Sequence, residues 1–139
     1  MIAFTVPGNP IAKGRPRFVR ATGRTFTPQK TMTYEGIVAS KAAEVMNGRE
    51  PFDGPLRVTV RATFAIPASW SNKKRAAAVW KATRPDIDNI CKACTDGMNA
   101  IVYRDDGQIV ELIGQKKFGP IPGVTVSVET LHANIEAER

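Results

Sequence analysis

The stretch Ile87-Asp88-Asn89-Ile90-Cys91-Lys92-Ala93-Cys94-Thr95-Asp96-Gly97-Met98-Asn99-Ala100-Ile101-Val102 decides the fold. Its apolar residues Ile87, Ile90, Cys91, Cys94, Met98, Ile101 and Val102 follow one another at steps of 3, 1, 3, 4, 3 and 1, which draws one apolar stripe along a helix. Such a stripe must be buried, and the flanking segments offer the surface. Leu56 to Ile66 alternates, with Leu56, Val58, Val60, Ala62, Phe64 and Ile66 on one face and Arg57, Thr59, Arg61 and Thr63 on the other. That is a half-buried strand, expected to be antiparallel to its neighbours. Residues 108–118 and 124–130 read as two more strands, joined around Gly119, Pro120, Pro122 and Gly123. Upstream, Ile2 to Val6 reads as a short strand stopped by Pro7, Gly8 and Pro10, and a basic loop or hairpin follows. Thr27 before Pro28, then Tyr34, Ile37, Val38, Ala42, Val45 and Met46, predict a helix over residues 28–47. Ser71 to Lys81 suggests a short basic helix capped by Ser71. The expected fold class is α+β: a single domain over residues 1–139, with a small mixed β-sheet packed with two main α-helices.

Composition narrows the function. The 139 residues are 42% hydrophobic and 24% charged, enough for a core without disulfides or a structural metal. No apolar run approaches the roughly 18 residues that span a bilayer, and MIAFTVPGNP has no signal-peptide pattern, so a soluble cytoplasmic protein with no membrane partner is expected. Twenty Lys and Arg against 13 Asp and Glu give a net charge of +7, and the isoelectric point is near 9.8. An excess of that size points to nucleic acid. Lys13, Arg15, Arg17, Arg20, Arg24 and Lys30 all precede the first acid, Glu35. A second acid-free stretch between Asp53 and Asp86 holds Arg57, Arg61, Lys73, Lys74, Arg75, Lys81 and Arg84. Of these, Lys13, Arg15, Arg17, Lys73, Lys74, Arg75 and Arg84 are the candidate DNA-binding residues.

Acidic residues gather instead at the two ends of the decisive helix. Asp86 and Asp88 precede and open it, and Asp105 and Asp106 follow it. Gathered carboxylates repel one another, so a fold that collects them usually holds a hard, oxygen-seeking cation, and Mg²⁺ is the natural guest. Beside a basic surface, that combination suits metal-assisted hydrolysis of a phosphodiester. Lys92 lies one turn after Asp88, on the same polar face, placed to stabilise charge on a scissile phosphate. A helix of about 16 residues is roughly 24 Å long, so the two pairs meet only if the helix stops near Asn99 and the chain folds back to set Asp106 beside Asp86 and Asp88. The plainer alternative keeps all these groups structural: Asp86 or Asp88 as caps, Lys92 as an i,i+4 partner, and Asp105-Asp106-Gly107 as an ordinary turn. Cys91 and Cys94 form a CxxC, but both fall on the apolar stripe and His132 is the only histidine, which leaves zinc short of ligands and a Ser/His/Asp triad without support. The segment from Gly8 to Arg15 has no following GK[ST], so no nucleotide cofactor is expected.

Arg84-Pro85-Asp86-Ile87-Asp88-Asn89-Ile90-Cys91-Lys92, together with Asp105-Asp106-Gly107-Gln108-Ile109-Val110 and the opening Gly8-Asn9-Pro10 with Lys13-Gly14-Arg15-Pro16-Arg17, resembles the RusA-like Holliday junction resolvases of phages and prophages. The resemblance spans most of the chain. It implies a homodimer that binds four-way DNA and cuts two opposed strands symmetrically with Mg²⁺. Carried over by position, it makes Asp86, Asp88 and Asp106 the essential acids and metal ligands, with Asp105 a further candidate ligand, Asn89 an orienting group and Lys92 the essential lysine. Two other readings remain open beside it: a branched-DNA nuclease acting on forks or flaps, and a junction-binding module without catalysis.

Overall fold

The computed structural model describes residues 1–14, 17–19, 24–26 and 29–131. Arg15, the Thr27-Pro28 cap and His132 with the tail lie outside the described residues. Strands β1 (Ile2–Pro7), β4 (Leu56–Phe64), β5 (Ile109–Phe118) and β6 (Gly123–Thr130) form one sheet in the order β1-β6-β4-β5. Strands β2 (Arg17–Val19) and β3 (Arg24–Phe26) pair antiparallel as a separate hairpin, the form taken by the basic segment. Helix α1 (Gln29–Met46) and helix α3 (Ile87–Met98) are the two main helices, and α2 (Asn72–Ala77) is a short one.

The sheet follows from alternation. Leu56, Val58, Val60, Ala62 and Phe64 of β4 are buried together with Val124, Val126 and Val128 of β6 and Ile2, Phe4 and Val6 of β1. Tyr34, Val38, Ala42 and Met46 of α1, spaced four apart, close over this face from one side, and Ile90, Cys91, Cys94 and Met98 of α3 close over it from the other. Burying each large apolar side chain contributes about 1.5–3 kcal/mol before conformational entropy is subtracted.

Strand β4 makes the sheet the mixed one expected, although its own alternation suggested antiparallel neighbours. It is antiparallel to β6 but parallel to β5. Side-chain alternation reads which face is buried and is blind to the direction of the neighbour; the long connection holding α2 and α3 is what a parallel crossover requires. Strands β5 and β6, consecutive in the chain, therefore lie on opposite sides of β4.

Two helices are shorter than their periodicity suggests. Helix α3 stops at Met98, where Ala100 turns left-handed at φ 68° and the amides of Ile101 and Val102 both donate to the Met98 carbonyl. Val102 is still fully buried, so its apolar spacing records a turn that returns to the core rather than more helix. Helix α2 starts as expected, with Ser71 Oγ accepting from the Lys74 amide at 3.2 Å. Past Ala77 the chain extends instead, and Val79 to Lys81 joins the outer edge of β5 through Phe118 N to Val79 O (2.9 Å) and Lys81 N to Lys116 O (3.1 Å). The Trp80 ring lies under the Lys117 ammonium at 4.7 Å, and Trp70 meets Phe118 edge-on at 5.2 Å.

Helix α3 can lie close to its neighbours because two positions have no side chain. A Cβ at Gly114 of β5 would stand 2.6 Å from Ile87 Cγ1 and 2.9 Å from Cys91 Sγ, and one at Gly97 would stand 2.7 Å from Val38 Cγ1 and 3.0 Å from the Glu35 carbonyl. Gly114→Val should therefore lift α3 off the sheet and destabilise the protein by about 2–3 kcal/mol, read as a lower midpoint in urea unfolding. The same substitution at exposed Gly36, which meets nothing within 4 Å, should cost at most about 1 kcal/mol.

Candidate active site at the start of helix α3

The chain enters α3 through Arg84-Pro85-Asp86, with the Arg84-Pro85 peptide cis. Asp86 occupies the N-cap position with extended backbone, φ −71° and ψ 142°, yet its side chain caps nothing. Asp88 Oδ1 accepts only the adjacent Asn89 amide, at 2.9 Å. Both carboxylates are exposed and in no ion pair among the described residues, so the structural reading of Asp86 as a capping group does not describe it. They stand where the free amides of the first turn and the helix dipole favour negative charge. An open cleft of about 590 Å³ lies beside them, lined by Ala12, Arg84, Pro85, Asp86 and Asn89.

Two lysines build this cleft. Lys116 of β5 donates from Nζ to the carbonyls of Thr83 (2.7 Å) and Pro85 (2.8 Å), tying the loop before α3 to the sheet. Lys13 donates its backbone amide to the Asn89 carbonyl at 2.9 Å and sets its ammonium between Glu35 (2.7 Å) and Asp96 (2.8 Å). Partial burial works against that charge, but the hydrogen bonds it donates to Asp96 and Glu35 outweigh it and hold the Lys13 pKa above its usual value. Its ammonium is thus already matched by two carboxylates. Lys92, by contrast, is exposed one turn along α3 and makes no ion pair with Asp88 or with any other described residue. The i,i+4 pair of the plainer alternative is absent, and the ammonium is uncommitted.

Asp105 and Asp106 stand elsewhere. Asp105 caps the 3-10 turn at Asp106–Gln108, accepting the Gly107 amide at 3.1 Å. Gln108 locks this turn: its Oε1 accepts from Arg104 N (2.9 Å) and Asp105 N (3.1 Å), while its Nε2 donates to the carbonyls of Phe52 (2.9 Å) and Gly54 (3.1 Å). Asp106 is exposed. The turn precedes Ile109, whereas Ile87 and Cys91 pack on Gly114 and Pro85 is tied to Lys116. Five strand residues separate Ile109 from Gly114, roughly 17 Å, and α3 itself is about 18 Å long. The helix does stop near Asn99 as required, but the chain does not fold back far enough to set Asp106 beside Asp86 and Asp88. Among the described residues, no group of three or more carboxylate, thiol or imidazole side chains is gathered to hold a metal.

The remaining candidates divide. Arg84 is exposed at the cleft, and Lys73 is exposed on α2. Lys74 lies over Trp70 at 4.1 Å, and Arg75 donates to the Pro67 carbonyl at 2.8 Å. Arg17 lies on β2. Sequence reasoning missed Lys116 and Gln108, whose work is to hold the two acidic turns in place. Gln108 was visible in the Asp105-Asp106-Gly107-Gln108 motif, whereas the role of Lys116 depends on strand register, which leaves no local signal.

Residues 7–129 match the family described as Endodeoxyribonuclease RusA. The chain is 31% identical over 140 residues to the uncharacterized protein YqaN of Bacillus subtilis (strain 168), covering 95% of this chain and 98% of that one. It is also 38% identical over 63 residues to a protein of Lactococcus phage r1t named crossover junction endodeoxyribonuclease rusA, covering 45% of this chain and 44% of that one.

Burial pushes the thiols of Cys91 and Cys94 up to about 11 and about 12, with the Asp88 charge adding to the first. Both should stay unreactive to Ellman's reagent at pH 8 in the folded protein and titrate fully in guanidinium. Because unfolded thiols ionise near pH 8.5, their protonated folded state contributes stability that is complete below about pH 8.5 and is lost as the pH rises toward 11. A Cys91→Ala, Cys94→Ala double variant should show a flatter fall of the unfolding midpoint over that range.

Proposed function

Given that the chain belongs to the RusA endodeoxyribonuclease family, we propose that it is a metal-dependent, structure-specific endonuclease that resolves four-way DNA junctions by paired phosphodiester hydrolysis, acting as a homodimer in the cytoplasm. The observation that carries this reading is the pair of uncommitted carboxylates, Asp86 and Asp88, beside a cleft with Arg84 at its wall and the unpaired Lys92 one turn away. Among the described residues, no helix is long and apolar enough to cross a membrane.

The donor set fits a hard divalent cation, since exposed carboxylate oxygens are what Mg²⁺ takes and the nearby thiols are buried and protonated. In this proposal Asp86 and Asp88 hold the cation, while Asp105 and Asp106 stand on the turn before β5, which one Asp105 oxygen already caps. When bound, Mg²⁺ supplies a more acidic water and offsets charge on the scissile phosphate. Lys92 adds a fixed positive charge where the transition state becomes more negative. Asn89, at the cleft wall, holds Lys13 and with it the segment from Gly8 to Gly14 across the start of α3. Arg84, with Lys73, Lys74 and Arg75 on the side of α2, grips the sugar-phosphate backbone, and Arg15 and Arg17 extend that grip. Lys13 serves this surface by holding the chain there, its charge being spent on Glu35 and Asp96. Selectivity for a junction comes from its shape and two-fold symmetry rather than from base edges.

The test is cleavage of a labelled four-way junction in Mg²⁺ and in EDTA, with a replication fork, a flap and a linear duplex alongside. Symmetric nicks near the branch point, absent in EDTA and in Asp88→Asn, are expected. Preferential nicking of the fork or flap would replace the resolvase with a branched-DNA nuclease, and tight binding without nicks would leave a junction-binding module. Lys92→Ala should slow cleavage by about 10²-fold or more while leaving junction affinity within a few-fold. A charge-removing variant of Arg84, Arg15 and Arg17 should bind more weakly and show a shallower dependence of log Kd on log salt, by roughly one unit for each phosphate that is no longer gripped.

A further inference from the structure

Helices α1 and α3 close over the sheet face that holds Leu56, Val58, Val60, Ala62 and Phe64, while the residues between them, Arg57, Thr59, Arg61 and Thr63, turn the other way. Strand register sets Glu111, Gln115 and Lys117 of β5 and Glu129, Ser127 and Thr125 of β6 beside them on that second face. The face is divided by charge. At one end Arg57 is matched by Glu111, and by Glu129 at 3.5 Å. At the other, Arg61 and Lys117 are exposed and in no ion pair among the described residues, and with Thr63 and Gln115 they line an open cleft of about 400 Å³. Trp80 extends this end. Its pairing with Lys117 lies between the hydrogen bonds Phe118 N to Val79 O and Lys81 N to Lys116 O, which is the closely spaced kind of antiparallel pair. The indole therefore shares this face with Lys117, whose ammonium stands 4.7 Å from the ring centroid. The ring is 60% exposed, and no other aromatic ring stacks on it among the described residues. A large aromatic surface kept in water beside unmatched cations is what a stacking platform for bases presents.

We propose that this end of the helix-free face binds an unpaired stretch of DNA strand, with Trp80 stacking on a base and Lys117 and Arg61 holding neighbouring phosphates. A single strand fits better than a duplex arm because stacking needs a base whose face is free, and inside a duplex each base face is already covered by the next base. The spacing agrees. Lys117 and Arg61 are two residues apart along the strand direction and one strand across, about 8 Å between Cα atoms, a gap that two long side chains can close or widen. Thr63, Gln115 and Thr125 add neutral hydrogen-bonding groups beside them, and no carboxylate stands among these residues to repel a phosphate. The platform reaches the candidate active site around the end of β5. Lys116 and Lys117 are adjacent and turn to opposite faces, one tying down the loop that carries Asp86 and the other lying on Trp80. A strand freed at a branch point beside the Asp86 cleft is thus led round the sheet edge onto the second face. That role rests on the proposed nuclease reading, whereas the binding rests on the face alone.

Binding is read from the fluorescence anisotropy of a short labelled oligothymidylate, and of a labelled duplex of the same length, in EDTA so that no strand is cut. Wild type should bind the oligothymidylate. Trp80→Ala should weaken that binding about tenfold while leaving duplex affinity within a few-fold, and Trp80→Phe should keep most of it, since a phenyl ring still stacks. Arg61→Gln combined with Lys117→Gln should weaken it as well and make the dependence of log Kd on log salt shallower by roughly 1.4, about 0.7 for each cation on a single strand. All three side chains are exposed, so each variant should keep the circular dichroism of wild type. A wild type that does not bind the oligothymidylate, or binding that survives both Trp80→Ala and the double variant, overturns the platform. Duplex affinity that falls in step with oligothymidylate affinity in Trp80→Ala overturns it too, and makes the face a grip for paired arms. A wild type that binds the oligothymidylate through Trp80 yet cuts no branched DNA in Mg²⁺ upholds the platform and overturns only its place beside a nuclease site.

Discussion

The contact on which the site depends is the close approach of α3 to β5 at Gly114, where Ile87 and Cys91 occupy the volume a side chain would take. It fixes how far along the sheet the helix starts, and so where Asp86 and Asp88 stand. Gly97 does the same on the other side, admitting Val38 of α1 against the helix backbone. With α3 wedged between α1 and the sheet, the helix can turn its polar residues nowhere but outward. The exposure of Asp86, Asp88 and Lys92 is a result of packing as much as of their own polarity.

Around that apolar seat, the polar groups act as ties. Lys116 holds the loop before α3, Gln108 holds the turn after it, and Lys13 links the N-terminal segment to both helices. Arg57 is matched by Glu111 and Glu129, and Arg104 by Asp53. The net charge of +7 therefore divides in two. Some cations hold the chain to itself, while Arg84, Lys73 and Lys92, in no ion pair among the described residues, remain for a partner.

Much of this was legible in sequence because it rests on periodicity. The alternation of Leu56 to Phe64 and the stripe from Ile87 to Met98 gave the layers, and Asp86 and Asp88 marked the segment that lies beside the cleft. What escaped was relational. Alternation in β4 was silent about a parallel neighbour, and helical spacing at Ile101 and Val102 continued through a turn that happens to bury the same side chains. Whether Asp106 reaches Asp86 depends on where α3 lies against β5, which no local pattern records. Lys116 was hidden for the same reason, since it acts on carbonyls thirty residues away that only strand register brings near.

The placement of the aromatic rings has an optical consequence. The chain holds two tryptophans, Trp70 and Trp80, and both stand on the strip that runs from β4 to the start of α3. Trp70 is set against Phe118, and Trp80 lies mostly open under the ammonium of Lys117. The tryptophan emission of the molecule is thus the emission of this one strip, with no indole in the core to dilute it. Any rearrangement of the chain leading into α3 is reported in the native spectrum, without an attached dye.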